Sequence, residues 1–334
     1  MRAIMLAVVS VILLLVSVPF MLTGSSGPAD RPANGSEQLA LGGPVLGGPA
    51  PACGPVSHID MKWIVDKIRS SYVRCAAEWP AGGERMTNYI RAALEGFRPQ
   101  SREANVKFIN GILYGITDDP HFKIEVDAPP IKYDNREHME STQGGLRYAT
   151  VGDTLELRIS LFYRLDMVRP YYDKFIDYLR RTEPARLTID LRGNPGGDME
   201  AAKYLLRVLL EPDTYLFTER ERRGDAVDTI EHRSAPGPDG YVYRGPVHLL
   251  IDGTTFSASE LMTVPLIWSS EGREPRATVE GTERTRGGPS GAIRVPVPDS
   301  DGYTLHVPIM EFDYKGMSWF GGIEPRAARD VHSA

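Results

Sequence analysis

The spacing of apolar residues changes several times along the chain, and each change predicts a different element. Residues 3–22 (AIMLAVVSVILLLVSVPFML) form an unbroken apolar run behind the single charge of Arg2. Residues 24–56 are rich in Gly, Pro, Ser and Ala instead. That composition buries too little surface to offset chain entropy, so it predicts a tether. From His58 the apolar positions recur at three- and four-residue steps, in HIDMKWIVDKIRSSYVRCAAEW, MTNYIRAALEGF and ANVKFINGILYGI. This is the period of an amphipathic helix and predicts roughly three packed helices. Asp119-Pro120-His121 interrupts it, Phe122 to Val126 begin a strand, and residues 127–150 read as a polar connector.

Beyond residue 150 strand-like and helix-like stretches alternate. LELRISLF precedes the amphipathic VRPYYDKFIDYLRRTEP, and short strands close the chain in RATVEG, AIRVPV and YTLHVPIMEF. Two stretches stand out, ARLTIDLRGNPGGD at 185–198 and VHLLIDGTTFSASE at 247–260. Each is an apolar run, a polar turn and the start of a helix, so its special residues fall at the carboxyl end of a strand. Ligands and catalytic groups gather at that edge of an α/β sheet. One turn offers backbone N–H groups and the other a hydroxyl, a combination suited to acyl transfer. TYLFTE and a polar loop lie between them. The fold class expected is α/β (α+β), a mixed sheet flanked by helices with an N-terminal helical subdomain.

Composition narrows the function. The 334 residues carry a net charge of −6 with no basic tract, so nucleic acid is not an expected partner. No metal-binding, phosphate-binding or dinucleotide motif occurs, so neither metal nor cofactor is expected. The run at 3–22 is just long enough to span a bilayer. Small residues at Thr23, Gly24 and Ser25 equally suit signal-peptide cleavage. Cleaved signal and membrane anchor both stay open, and either makes the rest extracytoplasmic: periplasmic, secreted or anchored through the N-terminal segment. Asn34-Gly35-Ser36 fits a glycosylation sequon, a pattern common by chance. In an exported protein the two cysteines, Cys53 and Cys75, are expected to pair, stabilising by about 3 kcal/mol; two free thiols are the alternative. The boundaries expected are residues 1–23 signal or anchor, 24–56 tether, 57–126 helical subdomain and 127–334 core.

The pair of strand–turn–helix units resembles the S41-type serine peptidases: the tail-specific or C-terminal processing proteases with their tricorn-core and retinoid-binding-protein-like relatives. In that family a strand ending D-L-R-x-N-x-G-G supplies an oxyanion hole, and S-A-S-E carries the nucleophile in its first serine. The matching positions are Asp190, Leu191, Arg192, Asn194, Gly196 and Gly197, and Ser257. The resemblance implies a crotonase-like core, and the connector at 127–150 is too short for the PDZ domain that many members insert there. It also implies a polypeptide substrate and an acyl-enzyme on Ser257. A non-catalytic ligand- or peptide-binding module on the same fold is the alternative, and a hydrolase of non-peptide esters or amides is a third reading.

Serine needs a neighbouring base to become a nucleophile. At the first turn of a helix Ser257 would gain from the positive end of the dipole, and the N–H of Ala258 with that of Gly196 or Gly197 could hold an oxyanion. A plain helix cap is the other role open to Ser257. Ser259 is expected to face elsewhere, and Pro265 to bend or end the helix. The processing proteases place a lysine about 25 residues after the serine; here EGTERTRGGPSG puts Gly288 there, with Arg284 and Arg286 nearby. Arginine stays protonated and is no base. The resemblance then favours the lysine-free branch, in which His121 of the Asp-Pro-His turn is the general base. A turn or solvent histidine is the alternative. His248 reads as a strand residue. Glu311 and Glu324 are the candidates for the carboxylate that orients the base, with Asp118 or Asp119 as local possibilities. Asp190 and Arg192 are expected to brace their turn. WFGGIEPRAARD resembles the family's closing G-V-E-P-D, with Arg326 in place of the aspartate.

Overall fold

The computed structural model describes residues 56–76, 83–129, 131–268 and 275–325. The apolar run at 3–22, the sequon, Cys53 with its pairing to Cys75, and Arg326 lie outside the described residues. Among the described residues no helix is long and apolar enough to cross a membrane.

The helical periodicity resolves into α1 (Met61–Ser71), α2 (Gly83–Leu94) and α3 (Arg102–Thr117), followed by β1 (Lys123–Val126). Asp60 and Ser101 cap α1 and α3, each accepting a helix N–H. The stretch expected to be a connector contains α4 (Arg136–Ser141) and most of β2 (Leu146–Val151). Only Leu146 of β2 is buried, so the strand carries almost none of the alternation that would announce it. There follow β3 (Thr154–Ile159), α5 (Leu165–Thr182), β4 (Arg186–Asp190) and α6 (Met199–Leu206). A hairpin of β5 (Tyr215–Arg223) and β6 (Ala226–Arg233) occupies much of the stretch expected to be a polar loop. The chain continues through β7 (Val247–Ile251), α7 (Ala258–Trp268), β8 (Ala277–Gly281), β9 (Ser290–Pro296) and β10 (Tyr303–Asp313).

The fold is α/β, with two sheets. One is the expected mixed sheet, ordered β2-β3-β4-β7-β8, antiparallel at β2–β3 and parallel elsewhere. Alternation turns Leu155, Leu157, Leu187, Ile189, Leu249 and Ile251 to one face, where they pack with apolar residues of α5, α6 and α7. The second sheet runs β1-β10-β5-β6, with β9 also on β10, and every pairing in it is antiparallel. Its long strand β10 joins two cores. Tyr303, Leu305 and Val307 pack with the N-terminal helices. Met310, Phe312 and Tyr314 belong to the main core. The Asp-Pro-His turn enters from the helical core and the Ser257 turn from the main one.

Candidate active site

Both strand–turn–helix units fold at the carboxyl edge of adjacent parallel strands, β4 and β7. At the first, Asp190 holds Arg192 through paired bonds of 2.9 Å and also accepts its backbone N–H. At the second, Asp252 accepts the N–H groups of Thr254 and Thr255 and reaches across to the N–H of Gly193. Asn194 is fully buried and locks the two turns together. Its side chain spans from the Ile159 carbonyl to the Gly196 N–H, and its own carbonyl accepts from Phe256 N–H and the Ser259 hydroxyl.

Those constraints fix the Ser257 turn. The Ser257 carbonyl accepts the first bonds of α7, from Glu260 and Leu261, so the residue occupies the N-cap position. Its φ is +56°, in the left-handed region that a residue with a side chain rarely occupies. The residue is 2 % exposed, and its buried hydroxyl has no hydrogen-bond partner. An N-cap serine normally spends that hydroxyl on a helix N–H. Here it is kept free, at a backbone geometry that costs energy to hold. The helix itself runs through Pro265 to Trp268.

The N–H of Ser257 is instead bonded by Glu260, three residues on, at 2.9 Å. This is one half of a capping box, with the serine's half left unmade. Glu260 is fully buried and accepts three further bonds, from Thr285 Oγ at 2.6 Å and from the N–H groups of Gly287 and Gly288 at 2.9 Å each. Burial pushes its carboxyl up to about 7, and the four donors pull the other way. All four of these neighbours donate, so the ionised carboxylate fits and a protonated one would have to expel a donor. Glu260 therefore binds the serine turn to the 285–288 loop.

His121 closes the other side. The ring stacks on Phe256, the residue before Ser257, with centroids 4.3 Å apart and planes at 22°. Gly288 fits against this stack: a side chain's first carbon there would lie 2.0 Å from the Phe256 ring and 2.8 Å from His121 Cε1. The position where a lysine would follow the serine is thus closed to any side chain, and the imidazole fills the space. His121 Nδ1 lies 2.9 Å from Ser290 Oγ and 3.4 Å from Asp119 Oδ1, and Ser290 donates to Asp119 at 2.9 Å. With its proton given to the carboxylate, the Ser290 hydroxyl can only accept from Nδ1–H. That tautomer leaves Nε2 as a bare acceptor, and Nε2 is buried with no partner. Burial holds the His121 pKa below its ordinary value, with Asp119 opposing and Lys123 and Arg286 adding to the depression. Ser257 Oγ and His121 Nε2 are both left without a hydrogen-bond partner and do not bond each other.

The remaining expected site residues separate clearly. Gly196 packs against the Ser257 turn, where a side-chain carbon would come within 2.7 Å of Ser257 Cβ and 2.8 Å of Ala258 N. Its own N–H is committed to Asn194, which leaves Gly197 and Ala258 as the amides without an intramolecular acceptor among the described residues. Neither proposed orienting carboxylate reaches the histidine. Glu311 pairs with Arg74 at 2.7 Å, and Glu324 pairs with Arg284 on the surface. Asp119 and Ser290 hold the ring instead. His248 bonds Thr278 and Glu280 on the exposed side of its strand. Cys75 is buried beside α2, and burial raises its thiol pKa.

A family model for peptidase family S41 matches residues 153–328, which is more than half of the chain. The chain belongs to peptidase family S41. A relative outside this chain is the carboxy-terminal processing protease CtpB of Bacillus subtilis (strain 168), 26 % identical over 162 residues. That match takes in 47 % of this chain and 30 % of the relative, so the chain spans less than a third of that protein's length. Among solved structures, a lipoprotein from Streptococcus agalactiae superposes with a TM-score of 0.51 at 16 % identity. It covers 81 % of this chain and 91 % of that one, a likeness of fold. The S41 match contains the Ser257 turn, Glu260, the glycine pair and Ser290. It begins after His121 and Asp119, which come to the site from the helical N-terminal part.

Proposed function

We propose that this S41 chain is an exported serine peptidase that cleaves polypeptides through an acyl-enzyme on Ser257, with His121 as general base. The unspent hydroxyl of Ser257 carries the reading: a buried N-cap serine held at a left-handed φ, with a buried histidine stacked on the preceding Phe256 and its free nitrogen Nε2. Export rests on the apolar run at 3–22.

In this reading Ser257 Oγ attacks the scissile carbonyl carbon while His121 Nε2 takes its proton. The oxygen of the tetrahedral intermediate accepts from the N–H groups of Gly197 and Ala258 at the start of α7, where the helix dipole favours negative charge. Collapse breaks the C–N bond, and the imidazolium returns the proton to the departing amine. Water then attacks the ester with His121 again taking a proton, and Ser257 leaves as the hydroxyl with the carboxylic acid released. Asp119 and Ser290 keep Nδ1–H in place and stabilise the imidazolium, the part an orienting carboxylate plays in hydrolytic triads. Ionised Glu260 holds the turn.

The full chain mixed with an activated acyl ester should gain the mass of the acyl group on the peptide containing Ser257, and should cleave members of an unbiased peptide library. Acylation with no peptide cleavage would make it a hydrolase of other esters. Peptide capture without acylation would make it a binding module.

A further inference from the structure

A groove of about 460 Å³ opens beside the catalytic turn, between α3 and the 285–288 loop. Val106 and Tyr114 line it from α3, Pro120 and Phe122 flank it on either side of His121, and Arg286 stands at its rim. The other charges in its wall are already matched. Lys123 pairs with Glu125 at 2.8 Å, and Glu125 also faces His306 at 3.1 Å. The Asn110 amide is spent on the backbone N–H and carbonyl of Ile124. The guanidinium of Arg286 makes no ion pair or hydrogen bond among the described residues. Buried Glu260 acts on it only from beyond contact distance, its own oxygens being taken by other donors. The guanidinium lies 4.9 Å over the Phe256 ring that also stacks on His121.

We propose that Arg286 anchors a substrate subsite for a carboxylate, either an acidic side chain or the free end of the peptide chain. The inference rests on the serine-peptidase reading of the adjacent site. A planar guanidinium fixed over an aromatic ring presents its donors in the fork that carboxylates fit. The site also has a reason to want the negative charge. Arg286 disfavours a positive His121, yet the reaction needs that histidine to become an imidazolium. A substrate carboxylate on Arg286 offsets this repulsion as the transition state forms. It should therefore raise kcat as well as lower KM.

The test compares matched peptides that differ only in a C-terminal carboxylate or amide, and a second series with Glu or Gln at each position near the cut. Expected is a preference of at least about tenfold in kcat/KM for one carboxylate, the value of a modest charge-assisted contact. The series that shows it identifies the source. In Arg286→Gln the ratio should collapse toward one, and in Arg286→Glu it should invert in favour of basic peptides. Should a variant fold poorly, Arg286→Lys keeps the charge and should retain part of the preference while losing the bidentate fit. The same peptides are titrated against Ser257→Ala protein, whose binding preference needs no chemistry. A binding preference there with no turnover by the wild type would sink the peptidase reading and leave the subsite standing. No carboxylate preference in the wild type, or a ratio unchanged in Arg286→Gln, would overturn the subsite.

Discussion

The two helices that start at the carboxyl edge of β4 and β7 begin in opposite ways. At α6 the N-cap is Asp198, in extended backbone, with one carboxylate oxygen on the N–H of Glu200 and the other on the N–H of Leu165. All of its capacity goes into structure. At α7 the N-cap is Ser257, in left-handed backbone, with its hydroxyl free and its cap supplied from three residues on by Glu260. The same position in the same supersecondary unit is satisfied in one place and withheld in the other. Withholding a cap sacrifices about 1 kcal/mol, and left-handed backbone adds to that cost. Buried charge and tight glycine contacts are gathered around the second unit to hold it.

The largest break in this contrast is at Ser257. Ser257→Ala should lower turnover by roughly four to six orders of magnitude with the protein folded, since nothing structural hangs on the hydroxyl. His121→Ala should lower it by about two to four orders, and the double variant should be little worse than the single ones, because the two groups act as a unit. Steady-state kinetics on all three checks both statements.

Next comes pH. The proposed mechanism requires two groups to be deprotonated: His121, depressed by burial below its ordinary 6.5, and Glu260, raised by burial to about 7. The higher one governs, so activity should rise with pH through a midpoint near 7 and then level off. Glu260→Gln should cut activity about tenfold or more, by turning an amide toward donors, and move the midpoint of the remainder down to that of His121. The stability slope has the opposite sense. Between about pH 4.5 and 7 the folded protein keeps a proton on Glu260 that the unfolded chain would release, so stability falls as pH rises through that window. Depressed His121 and His306 pull the other way below 6.5, so denaturant titrations at several pH values should show the wild type losing stability relative to Glu260→Gln as pH rises across the window.

Smaller effects sharpen the comparison. Gly196→Ala sets a methyl group against Ser257 Cβ and Ala258 N at a φ of +98°, so it should cost about 1–3 kcal/mol and some activity together. Asp198→Ala should cost about 1 kcal/mol, the ordinary value of a lost cap, as read from the denaturation midpoint.

Much of this was legible in the residues. The two turns announce themselves because an apolar run, glycines and a helix start fall in fixed order. The Asp-Pro-His turn stands out because it ends a long helical period. Glu260 was missed although S-x-x-E at a helix start is a capping-box signal that points back at Ser257. Glu311 and Glu324 drew attention for their place in the chain, but their partners, Arg74 and Arg284, are 237 and 40 residues away and sequence spacing cannot show them. Ser290 carries no motif; it matters only because β9 pairs with β10 and brings it under His121. The start of β5 reads as a strand in TYLFTE, but the rest of the β5–β6 hairpin reads as a loop because it is charged, with apolar burial confined to the first residues of β5.

The central claim is that a withheld hydroxyl on Ser257 is activated by His121, and a serine-directed fluorophosphonate measures this directly. The labelling rate of the wild type, followed by mass spectrometry, should place a single adduct on Ser257 and rise with pH toward a plateau above 7. In His121→Ala the rate should fall at least a hundredfold while the circular dichroism spectrum is unchanged. A Ser257 adduct that forms as fast without His121 as with it would contradict the account.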